Sequence, residues 1–221
     1  GLVLSGDTTS FGAGSLDAWL VKTDSVGNIQ WNMTYGGADY DSGSQLIQTK
    51  DGGFAIGGYS NSSGAGNYDF WLVKTNSTGF LEWSKTYGGI GSDIGYEVFQ
   101  TTDGGFALIG VTSSYGAGDQ DVWLVKTDSA GNIQWNTTYG GGGVDLGHSI
   151  VQTSDGGFAV IGRTTSFGIG GSNDAWLIKT NATGTLQWNK TYGGAGAEYA
   201  VDIVLANDGG YAFTGYTNSF G

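Results

Sequence analysis

The sequence has no cysteine and no proline. Without cysteine there is no disulfide frame and no thiolate metal centre, so whatever folds must do so on its own core. Without proline, turns must be made by Gly, Asn, Asp and Ser, and the 44 glycines among 221 residues serve that purpose rather than a collagen-like period. Basic residues are scarce, 8 Lys and Arg against 20 Asp and Glu, for a net charge of -12. That balance argues against a nucleic-acid or anionic-membrane partner, since both are held by a surplus of positive charge. No apolar run approaches the ~20 residues that cross a bilayer as a helix, and nothing at the N-terminus reads as a signal peptide. The missing initial Met suggests a mature, processed or excerpted piece of a longer precursor.

Aromatic residues, 14% of the chain, are present in an ordered way. The heptad "WNMTYGG" at 31–37 returns as "WSKTYGG", "WNTTYGG" and "WNKTYGG", with Trp31, Trp83, Trp135 and Trp188 spaced by 52, 52 and 53 residues. Trp19, Trp71, Trp123 and Trp176 repeat at the same intervals, as do Asp51, Asp103, Asp155 and Asp208 of the D-G-G-F/Y turns. A period near 52 is the signature of a repeat architecture. The one extra residue falls in the Gly-rich segment "SFGIGGSND", where an insertion costs little.

Each period reads as four short strands. In one copy "GHSIVQTSDG" is strand A, "GFAVIGRT" B, "DAWLIKT" C and "TLQWNKTY" D, with tight turns at "SDGG" and "NATG". Strands B and C are apolar at consecutive positions, which implies burial on both faces. The expected fold is therefore all-β, a β-propeller of four-stranded blades, with an open stack of the same sheets as the alternative. The chain reads as one repeat domain: B-C-D over 1–37, full blades at 38–89, 90–141 and 142–194, and A-B over 195–221. That makes seventeen strands, one more than four blades use. A closed four-blade ring, a piece of a larger ring, and pairing of the surplus strand with another chain all remain open, the larger ring being preferred.

The motifs W-x-x-T-Y-G-G, Q-T-x-D-G-G-F, S-F-G-x-G and D-x-W-L-V-K-T-D resemble a repeat of predicted surface and secreted proteins of archaea and bacteria. More distantly, "KTDSVGNIQW" is similar to quinoprotein-type propeller repeats. The first resemblance implies a propeller on or outside a prokaryotic cell and implies no reaction. For the second, the residues that hold cofactor and calcium lie outside the repeat motif, and no matching set is found. Departures are Leu205-Ala206-Asn207 before Asp208 and Ser84 after Trp83.

Catalysis needs unlike groups at one place, whereas a repeat puts like groups at equivalent places. No catalytic residue is assigned; His148, the single His, reads as structural. Asp17, Asp69, Asp121 and Asp174, two residues before each strand-C Trp, read as turn caps, with Ca²⁺ as the alternative. No other cofactor is expected. Lys22, Lys74, Lys126 and Lys179 are expected to pair with a repeated Asp. Phe11, Tyr115, Phe167 and Phe220 share one loop position, Ser63 replacing them once, and are candidates to stack on a sugar or to cover a blade edge. Six sequons, at Asn32, Asn61, Asn76, Asn136, Asn181 and Asn189, are glycosylation candidates, and those following a Trp are expected to face solvent on an outermost strand D. The expected function is a non-enzymatic, extracellular structural or adhesive module whose partners are surface proteins or glycans, with edge-strand self-association. A glycan-binding propeller is the alternative and a hydrolase or quinoprotein the third.

Overall fold

The computed structural model describes residues 1–169 and 171–219. Among them are seventeen strands and no helix. Strand A is β4 (Asp41–Gln48), β8 (Asp93–Gln100), β12 (Asp145–Gln152) and β16 (Glu198–Leu205). Strand B is β1 (Val3–Thr8), β5 (Phe54–Ser60), β9 (Phe106–Thr112), β13 (Phe158–Thr164) and β17 (Tyr211–Thr217). Strand C is β2 (Asp17–Thr23), β6 (Asp69–Thr75), β10 (Asp121–Thr127) and β14 (Asp174–Thr180), and strand D is β3 (Ile29–Tyr35), β7 (Leu81–Tyr87), β11 (Ile133–Tyr139) and β15 (Leu186–Tyr192). Strand A starts earlier than its apolar run, at an acid in each copy.

By internal contacts the chain divides into two compact units, Gly1–Phe106 with Asp128–Asn132, and Ala107–Thr127 with Ile133–Gly221. The first contains the sheets β1-β2-β3 and β4-β5-β6-β7, the second β12-β13-β14-β15 and β16-β17. Both four-stranded sheets are antiparallel meanders in sequence order, their A–B and C–D strands joined by five-residue Gly-containing turns. Their central C strands, β6 and β14, are buried at every residue, while the edge strand β7 is exposed at Leu81, Glu82 and Ser84. Consecutive apolar residues thus mark strands covered on both sides. No helix among the described residues is long and apolar enough to cross a membrane.

The heptad makes the joint between successive sheets. Trp31 of β3 packs on Phe54 of β5 with ring centres 6.0 Å apart, and in the second unit Trp135 packs on Phe158 at 5.8 Å. Three heptad Tyr residues reach into the next repeat: the hydroxyl of Tyr35 donates to Gly79 O (2.6 Å), that of Tyr87 to Gly131 O (2.8 Å) and that of Tyr139 to Gly184 O (2.5 Å). Burial pushes the Tyr35 phenol up to about 12, so it stays a donor. A parallel bridge then sets the next strand A: Asp41 N donates to Leu16 O, and Asp145 N to Gln120 O, both at 2.8 Å.

The first heptad glycine leaves room for acids. A Cβ on Gly36 would fall 2.0 Å from Asp17 Oδ1 and 2.9 Å from Asp41 Oδ2; on Gly140 it would fall 1.7 Å from Asp121 Oδ1 and 2.8 Å from Asp145 Oδ2. Buried carboxylates bonded to the backbone cannot move aside as a flexible chain end would. Gly140→Ala should therefore destabilise the protein by on the order of 3 kcal/mol or more. Gly6→Ala, at a position with nothing within 4 Å, should change it by less than about 1 kcal/mol. Urea midpoints of the two variants check the contrast.

Candidate functional site

The acids form the most regular polar feature. Asp17, Asp69, Asp121 and Asp174 are buried at the start of strand C. Each closes the preceding loop by accepting backbone N–H bonds: Asp17 from Gly14 (3.2 Å), Asp69 from Gly66 (3.1 Å), Asp121 from Ala117 and Gly118 (2.9 and 3.0 Å), Asp174 from Ile169 (3.1 Å). These bonds are those of turn caps. Opposite them stands a second recurring acid, Asp41, Asp93, Asp145 or Glu198, which the sequence reading missed although it follows the same 52, 52 and 53 spacing. Asp145 accepts from the hydroxyls of Thr164 and Ser166 and from Gly141 N (2.8 Å). Among the described residues no group of three or more Asp, Glu, His or Cys side chains gathers that would hold a metal ion.

Asp69 Oδ1 is buried with no hydrogen-bond partner. Burial first, and the charge of Asp93 second, push its carboxyl above the ordinary value. The A–B turn acids are shifted the other way. Lys74 Nζ lies 2.8 Å from both Asp51 and Glu82, and Lys179 Nζ 2.8 Å from Asp155, so the expected Lys–Asp pairing is present at these two positions. Lys22 and Lys126 donate to Gln30 and Gln134, at 3.0 Å each. Hydrogen bonds from Lys74 and then Thr49 bring Asp51 down to about 2, and Lys179 and Thr153 hold Asp155 low as well. For Lys74 itself burial favours the neutral amine, but Asp51 and Glu82 outweigh it and the group is held above its ordinary value.

The Asn residues of the heptads have a structural partner. Asn32 Oδ1 accepts the indole N–H of Trp19 (3.3 Å), Asn136 that of Trp123 (3.2 Å) and Asn189 that of Trp176 (3.0 Å). Ser84, the departure from the motif, does the same for Trp71 at 2.7 Å. All three Asn lie exposed on a strand D, as expected. Asn76 and Asn181 accept the N–H groups of Thr78 and Phe80, and of Thr183 and Thr185, closing the C–D turn. Asn61 is exposed just after β5.

The loop aromatics lean on these same indoles. Phe11 sits 6.4 Å from Trp19, Tyr115 5.3 Å from Trp123 and Phe167 5.2 Å from Trp176, while 62%, 46% and 42% of each loop residue remains exposed. Phe220 lies outside the described residues. Beside them are two equivalent grooves, one in each unit. The first, of about 430 Å³, is lined by Tyr35, Ser63, Trp71, Phe80 and Ser84; the second, of about 470 Å³, by Tyr139, Phe167, Trp176, Thr185 and Asn189. Each is an aromatic-floored cleft edged by hydroxyl or amide groups.

These features define an all-β repeat protein of antiparallel sheets whose polar groups recur at equivalent places. No protein-family model and no curated protein matches the chain. A solved structure of a protein of unknown function from Bacteroides caccae is similar, with a TM-score of 0.55 at 11% identity, and it covers 95% of this chain. The chain spans 63% of the length of that protein. At so low an identity the likeness concerns the fold alone.

The two kinds of acid predict opposite pH responses. Asp51 and Asp155, held low, contribute stability that is present above about 3.8 and is lost as pH falls toward their folded values. Removing Lys74 and Lys179 as Met variants should flatten that acid-side loss. Asp69, held high, contributes stability present below 3.8 and lost as pH rises through its folded value. Relative to wild type, Asp69→Asn should then be more stable at about pH 8 than at about pH 4. Guanidinium midpoints across this range measure both effects.

Proposed function

We propose that the chain is an extracellular binding or adhesion module of a prokaryotic surface protein, its sheets set as the blades of a β-propeller. The observation that carries this reading is that its recurring polar groups are used in its own architecture. Heptad Asn residues accept from strand-C indoles, strand-C acids cap loops, and strand-C Lys residues bond their own C–D hairpin. Such a surface offers many copies of one contact, which suits avidity rather than turnover. The resemblance of the motifs to those of surface and secreted proteins supports the location. Strand β17, exposed at Ala212 to Thr217, supplies an edge for self-association.

A second reading, saccharide binding, is favoured by the paired grooves. Aromatic floors with hydroxyl and amide edges match the two faces of a sugar ring, and 430 to 470 Å³ is within the range of small-ligand sites. Binding of the whole chain to a glycan array, competed by the free sugar, separates the two. An adhesive module working through protein surfaces gives no competed saccharide. A groove-binding module gives one, and Phe167→Ala weakens it by about tenfold, or roughly 1.4 kcal/mol. Turnover of chromogenic glycosides, abolished by a single substitution, would overturn both readings.

A further inference from the structure

Three positions differ from repeat to repeat where most of the strand pattern recurs. In strand B one position is Asp7, Tyr59, Val111, Arg163 and Tyr216 in turn; in strand A two positions are Ser42, Ile94, Leu146 and Tyr199, and Ser44, Tyr96, His148 and Val201. In the second unit they put the only arginine of the chain on β13 and its only histidine on the neighbouring strand β12. The guanidinium carbon of Arg163 stands 4.7 Å from the centre of the Tyr199 ring, a cation–π distance. Tyr199 in turn stacks on Tyr216, with centres 4.7 Å and planes 19° apart, and its hydroxyl is met by Asn173 Nδ2 at 3.2 Å.

Among the described residues the Nε of Arg163 is buried without a hydrogen-bond partner. The acids on the surrounding strands are engaged elsewhere. Asp145 takes Thr164, Ser166 and Gly141; Glu198 takes Thr217 and Gly194; Asp202 takes Ser149 and the Ile203 N–H; Asp174 caps its loop. Lys179, the other cation on these strands, is paired with Asp155. A buried guanidinium donor left unmet is a net cost to folding, in a chain with twenty acids. His148 lies where the β12–β13 register slips between Gly147 and Ser149, the kind of bulge that re-aims a side chain. Burial, then the charge of Arg163, holds its imidazole below the ordinary 6.5.

We propose that Arg163, with the Tyr199 ring against it, is a binding site for a carboxylate ligand. One guanidinium balances one negative charge, and its planar fork matches a carboxylate in two parallel hydrogen bonds. A phosphate dianion would face the net charge of -12 with only one cation to hold it. Tyr216, 61% exposed, forms the outer ring of the stack and offers an apolar surface for the body of the ligand. A bound carboxylate favours the imidazolium, so binding draws a proton onto His148 and tightens as pH falls toward the folded value of that group. The site is independent of the two grooves and of the saccharide reading.

The single His gives the test its own reporter. The His148 imidazole resonances of the full chain are followed by NMR against pH, alone and with D-glucuronate, acetate, D-glucose or inorganic phosphate. The expected result is a saturable upward shift of the His148 titration with glucuronate and acetate and none with glucose. Arg163→Gln should abolish the ligand effect, and Arg163→Lys, which keeps the charge without the fork, should weaken it about tenfold. No saturable change in the wild type with either carboxylate overturns the proposal, as does an equal change in folded Arg163→Gln. A shift with phosphate and not with glucuronate overturns the carboxylate assignment. The wild-type arms stand even if a variant fails to fold.

Discussion

A carboxylate buried at the first residue of strand A ties each repeat to the one before it. Asp41 accepts from Gly37 N at the end of the heptad and from the hydroxyls of Ser60 and Ser62 at the end of strand B, while its own N–H donates to Leu16 O ahead of strand C. Three segments are thus fixed by one residue, and charge-assisted bonds of this kind are roughly twice as strong as neutral ones. The consequence runs outward. Because the strand-C acid stands opposite, the heptad must turn past two carboxylates, and only glycine fits at 36, 88, 140 and 193. The Tyr just before that glycine is then held where its hydroxyl reaches the following C–D turn. The spacing of the sheets and the identity of the heptad come from the same constraint.

Much of this architecture was legible in the residues. The repeat interval, the strand order and the double-sided burial of B and C follow from motif spacing and apolar runs, because both are properties of the backbone period. The strand-A acid was not legible. "GGADYD" and "GGGVD" look like loops, and the value of Asp41 or Asp145 lies in donors 4 to 21 residues away in sequence. The Asn after the heptad Trp was read through its sequon. Its contact with an indole thirteen residues earlier depends on cross-strand register, Val21 opposite Asn32 and Trp19 opposite Thr34, which a linear motif does not display. Ser84, a departure from the motif, is the useful signal: Asn and Ser share an acceptor oxygen, and only Asn heads a sequon.

The same register explains why sequons accumulate here. A Trp on strand C asks for an acceptor on strand D, and a β-branched residue two positions on fills the pleat beside it. Asn-x-Thr satisfies both at once. An acceptor site for a glycan and a structural hydrogen bond are compatible, since the indole uses the amide oxygen and glycosylation uses the nitrogen.

Where the repeats agree, their side chains are absorbed by the scaffold; where they differ, the scaffold makes no demand. The strand-B position that is Arg163 illustrates this. In the first sheet the same position is Asp7, which accepts from Ser42 Oγ and Gly43 N and so serves the joint with β4. At 163 a cation takes that place, turns to an aromatic ring and leaves its Nε without an acceptor among the described residues, although Leu146 opposite it is well packed. A core residue chosen for stability alone would be the Val found at 111, which is buried without any polar debt. Retaining a guanidinium at such a cost, beside the single His and in a chain otherwise poor in cations, is the pattern of a residue kept for something it binds.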